Sequence, residues 1–118
     1  MDHPTTLTFP NRAQWRAWLQ ANHADAAEAW LLIARVKNPG LHLAAAVEEA
    51  LCFGWIDGVM RPLDEKHYLL RFSPRTAQSI WSLSNIQRVE TLIAAGLMTE
   101  AGLEKVQQAQ ENGEWEAA

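Results

Sequence analysis

Cys52 is the only cysteine in the 118-residue chain, so no internal disulfide can form. Set in the apolar helical run Leu51-Cys52-Phe53, it reads as a small buried hydrophobe in a reducing compartment, and desolvation of its thiol argues against a nucleophile. The chain also lacks long apolar runs: none approaches the roughly 18 residues that span a bilayer, and no leader-like segment opens it. A cytoplasmic protein without membrane insertion is expected. The four histidines, His3, His23, His42 and His67, are scattered, and no pair of ligands has zinc-site spacing. Phosphate-binding loops and the G-x-S-x-G elbow are missing too, so neither metal nor cofactor is expected. Positive charge is scarce, with ten Lys and Arg against fourteen Asp and Glu. Arg61, Arg71, Arg75 and Arg88 share the middle third, but Asp57, Asp64, Glu65 and Glu90 nearly cancel them, which excludes a nucleic-acid surface. The excess acidity lies in the last quarter of the chain.

What is present points to one globular domain over residues 1–118. Hydrophobic residues make up 48% and there are six tryptophans, enough for a core and for the walls of a pocket. Thr5–Phe9 alternates like a short strand closed by Pro10. Asn11 then caps a helix with the stripe Trp15, Trp18 and Leu19, and Pro10 is placed to staple onto Trp15. His23 at its end reads as a cap for carbonyls. The apolar run Glu28–Arg35 suits a strand buried on both faces and paired with the first. After turn chemistry at Val36–Gly40, a helix over Leu43–Phe53 keeps Glu48 and Glu49 on its outer side.

The segment Leu51-Cys52-Phe53-Gly54-Trp55-Ile56-Asp57-Gly58 turns that helix into an extended run at Gly54. The runs Trp55–Leu63 and His67–Ser73 flank Asp64-Glu65-Lys66 as a β-hairpin. A turn symmetric about Glu65 sets Val59 opposite Arg71 and Asp57 opposite Ser73. Ile56, Met60, Tyr68, Leu70 and Phe72 then face the core, and Trp55, Asp57, Arg61, His67 and Arg71 share the other face. Ser73–Ser79 is a loop. A helix capped by Ser82, Ser84 or Asn85 follows, then one capped by Thr99 that stops at Asn112-Gly113, with Trp115 folding back. The order is β-α-β-α-β-β-α-α: an α+β domain whose four-stranded, mainly antiparallel sheet is packed by helices.

Trp55, Asp57, Arg71, Arg75, Ser79, Trp81 and Asn85 gather from the hairpin and the loop after it. Guanidiniums fork around carboxylates or phosphates and indole rings flank apolar or cationic groups, which is the chemistry of recognition. Proton transfer has only Asp57 and His67 to call on, and neighbouring arginines would lower the Asp57 pKa.

The blocks Ala50–Gly58, Arg71-Phe72-Ser73-Pro74-Arg75, Ser79-Ile80-Trp81-Ser82, Asn85, Arg88-Val89, Leu92–Met98, Gly102 and Gly113-Glu114-Trp115 resemble the bacterial YdeI/OmpD-associated family from about Phe9 onward. The resemblance implies protection against bacteriocins, antimicrobial peptides or other stress without naming a molecular activity. Thr76-Ala77-Gln78 and Leu83-Ser84 stand where that family is usually more basic. The expectation is a ligand- or partner-binding domain, monomer or homodimer, taking a small anionic molecule or a peptide or protein partner. The alternatives are a small hydrolase or transferase using Asp57 and His67, and an interaction protein with no small-molecule site.

Overall fold

A computed structural model describes residues 5–117, leaving His3 and both chain ends outside the described residues. The order is β1 (Thr6–Leu7), α1 (Arg12–Asn22), β2 (Ala29–Ala34), α2 (Leu43–Cys52), β3 (Trp55–Pro62), β4 (His67–Pro74), α3 (Leu83–Ala94), α4 (Glu100–Glu111) and the short α5 (Glu114–Ala117). The expected α+β succession is therefore present, with α5 added after the Asn112-Gly113 stop. The sheet order is β1-β2-β4-β3, with β1 parallel to β2 and the other two pairs antiparallel.

Local chemistry accounts for the helix starts. Asn11, Ser82 and Thr99 each adopt an extended backbone and accept an N–H three residues ahead, from Gln14, Asn85 and Gly102. The Phe9 ring meets Trp15, at 5.6 Å between centroids. His23 closes α1 as a cap, its Nδ1 lying 2.9 Å from the Leu19 carbonyl oxygen. Glu49 departs from the expected outer position of α2. It is only 5% exposed and receives hydrogen bonds from Arg12 Nε at 2.9 Å and Arg16 Nη1 at 3.0 Å. Two guanidiniums from α1 make that burial affordable, so a residue that looks solvated in sequence ties α1 to α2.

The core lies on one face of the sheet. Trp15 and Leu19 of α1, five residues of α2, Leu31 and Ile33 of β2, Leu70 and Phe72 of β4, and Ile86, Val89 and Leu92 of α3 belong to it. Trp30 and Leu69 are also buried but stand outside that cluster, on the opposite face, where the Arg61 guanidinium lies 5.2 Å from the Trp30 ring.

The hairpin forms, but its register corrects the sequence reading. Met60 pairs with Leu70 and Arg61 with Leu69 as expected, whereas Asp57 pairs with Phe72 and Ile56 with Ser73. Gly58 and Val59 together oppose the single Arg71, which is a β-bulge, and a bulge reverses the side-chain alternation beyond it. Trp55 and Asp57 consequently turn to the helix-covered face with Phe72. Arg61, His67 and Arg71 stay on the other. Trp55 is fully packed, its ring edge-on to Trp18 at 5.9 Å and its Nε1 donating to the His23 carbonyl at 3.4 Å.

Two glycines let α4 dock on the turn between α2 and β3. Gly54 has φ +77°, and a Cβ there would meet Lys105 Cγ at 2.8 Å and the Ala101 carbonyl oxygen at 3.0 Å. A Cβ on Gly102 would run into the Cys52 carbonyl oxygen. That same carbonyl accepts both the Thr99 N–H, at 3.0 Å, and the Thr99 hydroxyl. The start of α4 is thereby fixed on the end of α2, and its later turns are carried past the loop that follows β4.

Candidate functional site

Arg75 follows β4 and is held by its backbone, whose N–H donates to the Gly54 carbonyl at 2.9 Å. Its side chain turns inward and is only 3% exposed. The guanidinium carbon lies 3.7 Å from the centroid of the Trp81 ring, and Trp115 of α5 meets that ring at 5.2 Å and 60°. Cation and indole are thus stacked inside the protein, a geometry whose attraction grows as water is removed. Hydrogen bonding is incomplete. Nη2 donates to the Ile80 carbonyl at 3.3 Å, while Nε and Nη1 are buried with no partner. Each unmet donor costs about 1–3 kcal/mol, more where the group is charged.

Burial accordingly pulls the Arg75 pKa down to about 10, and the carboxylates of Asp57 and Glu114 work against that shift without cancelling it. Asp57 therefore acts on Arg75 through its field, with no hydrogen bond between the two.

Beside this guanidinium is a cavity of about 360 Å³. The loop after β4 contributes Arg75, Thr76, Ser79 and Trp81 to its lining; α4 and the residues after it contribute Lys105, Gln108, Glu111 and Glu114. Volumes of this order suit a small molecule. The loop is folded on itself by Thr76 N–H to Ser79 Oγ at 3.0 Å and Ser79 N–H to the Thr76 carbonyl at 3.1 Å. Apart from the Arg75 bond, Ile80 is left projecting, 79% exposed.

Of the seven residues gathered from the sequence, the fold brings Arg75, Ser79 and Trp81 to this cavity. Trp55 is in the core, packed on α1. Arg71 is on the opposite sheet face, its Nε donating to Glu28 Oε1 at 2.6 Å. Asn85 lies in the first turn of α3, where its Oδ1 accepts from Arg88 at 3.0 Å. Asp57 and His67 occupy opposite sheet faces, and His67 Nδ1 lies 3.8 Å from Asp64 instead. The α4 wall was absent from the sequence reading. Gly102, which carries α4 past the loop, is the signal that could have indicated it.

A larger hollow of about 830 Å³ lies at the far end of the sheet, lined by Arg35, Lys37, Arg88 and Tyr68 among others. Arg35 there is bonded to the Asp64 carbonyl and Arg88 to Asn85. It contains no counterpart to the buried, unpartnered donors of Arg75. Among the described residues, no three His, Cys, Asp or Glu side chains are grouped to hold a metal ion, and no helix is long and apolar enough to cross a membrane.

A family described as a domain of unknown function (DUF8412) matches residues 7–105. The chain belongs to this family. The matched segment runs from β1 into α4, so the domain's shared part includes Arg75, Trp81 and Lys105, whereas Glu111 and Glu114 follow it. No curated protein and no solved structure matches the chain.

Proposed function

We propose that this domain is a binding module that captures a small carboxylate- or phosphate-bearing molecule in the cavity beside Arg75. The observation that carries the reading is a guanidinium excluded from water with two nitrogens lacking acceptors. Such a group gains more from an incoming oxyanion than a solvated arginine does, because the desolvation has already been met in folding. Lys105 adds a second positive charge, and the Ser79 and Thr76 hydroxyls add neutral donors. Thr76, Ala77 and Ser79 line the cavity beside Arg75, and the bonds of their loop are mainly to itself.

The resemblance to YdeI/OmpD-associated proteins extends the proposal to protection against antimicrobial peptides or similar stress, in the cytoplasm, by binding rather than by catalysis. A hydrolase or transferase reading is the weaker one, because Asp57 and His67 lie on opposite sides of the sheet. Titration calorimetry of the purified protein with acetate, hexanoate and inorganic phosphate tests the binding reading. Saturable binding to at least one probe, lost in Arg75→Ala and retained in Arg71→Ala, is expected. Binding indifferent to Arg75, or none at all, would reject it.

A further inference from the structure

The charges around the Arg75 cavity are ordered, and the order bears on what kind of anion it takes. Arg75 marks the buried side, and the half-buried Lys105 reaches the same side, its Cγ lying against Gly54, whose carbonyl accepts the Arg75 N–H. Glu111, which is exposed, and Glu114, which is half-buried, line the α4 and α5 side. The lining therefore holds two cations and two carboxylates. A doubly charged phosphate entering it would be attracted at one end and repelled at the other.

At the acidic end, Glu111 has no basic residue beside it in the last turn of its own helix. It is the last residue of α4, where the helix dipole is negative. Carboxylates at a helix C-terminus are placed against the dipole, and a cation arriving there relieves both. The Glu111 Oε2 accepts only a neutral bond from Gln107, at 3.3 Å. The same small cavity is lined by Arg75, whose buried Nε and Nη1 lack acceptors.

Resting on the binding reading above, we propose that the cavity selects a zwitterion: a small molecule whose carboxylate is held by Arg75 and Lys105 and whose ammonium or other cationic group lies against Glu111 and Glu114. Its volume, about 360 Å³, fits a molecule the size of an amino acid. The two ends of the recognition are separable along the chain, since the residues holding the anion fall within the family match and the two glutamates fall beyond it.

Three probes of one chain length test this: hexanoate, 6-aminohexanoate and hexylamine, titrated into the full chain by calorimetry. The aminohexanoate should bind about tenfold more tightly than hexanoate, the ratio that one charge-assisted hydrogen bond supports, and hexylamine should bind weakest. The double variant Glu111→Gln, Glu114→Gln should bring the two carboxylates within about twofold of each other, with hexanoate affinity kept or raised as the repulsion is removed. Circular dichroism and the urea midpoint of that variant confirm that it remains folded. Hexanoate binding as tightly as aminohexanoate, with both lost in Arg75→Ala, would overturn the zwitterion and leave the anion pocket standing. Failure of all three probes would overturn both.

Discussion

The Arg75 guanidinium lies 3.7 Å from the centre of the Trp81 ring, and two of its nitrogens have no acceptor. The stack orients the cation, and the missing acceptors make it costly to keep there. Neutralising the side chain while preserving its stem should separate these effects. Arg75→Met is expected to leave stability at neutral pH unchanged or raised by about 1 kcal/mol in urea unfolding, since it removes buried unmet donors. A loss of several kcal/mol would show that the donors are satisfied after all.

The same burial has a pH signature. Arg75 holds its proton less tightly folded than unfolded, its pKa being lowered to about 10. Above that pH the unfolded chain carries the additional proton, so rising pH favours the folded state. Below it the penalty is constant. The stability of the native sequence relative to Arg75→Met should therefore improve between pH 9 and pH 11. A flat or falling difference in urea midpoints across that range contradicts the assignment.

Arg71 is the internal control. Its pair with Glu28 is exposed, both side chains being more than a third accessible, and such pairs contribute less than about 1 kcal/mol. Arg71→Ala should shift the thermal midpoint little and leave probe affinity unaltered. An effect on binding equal to that of Arg75→Ala would place the two arginines in one site, against their positions on the sheet.

Docking of α4 depends on the absence of a side chain at Gly102. Its Cβ would stand 2.8 Å from the Cys52 carbonyl carbon, and closer still to the oxygen. Backbone cannot yield as a flexible side chain can, so Gly102→Ala should cost about 1–3 kcal/mol despite alanine's better helix propensity. Because α4 forms one wall of the cavity, probe affinity should fall as well. A stability gain would mean that α4 is not seated on α2 in this way.

Burial raises the Cys52 pKa, and the Arg16 guanidinium offsets only part of it. Only the thiolate reacts readily. Alkylation by iodoacetamide at pH 8 should therefore track the unfolding curve in urea, with negligible labelling before the transition. Stoichiometric labelling of the native protein would rule this out and reopen a role for the thiol.

Helices, caps and the hairpin follow from sequence alone, because each is decided within a few residues: Asn11, Ser82 and Thr99 meet their own N–H partners three positions on, and Gly54 stops α2 by its left-handed backbone. The separation of Arg71 from Arg75 does not follow. Alternation is a count, and the extra residue at Gly58-Val59 changes the count; that residue is set by the fit of Trp55 against Trp18 and of Asp57 opposite Phe72, contacts made with chain far away. Burial of Glu49 is of the same kind, since only α1 reveals its two arginines. The α4 wall likewise exists because Gly102 permits backbone to touch backbone across fifty residues, a fit that residue types along one segment do not encode.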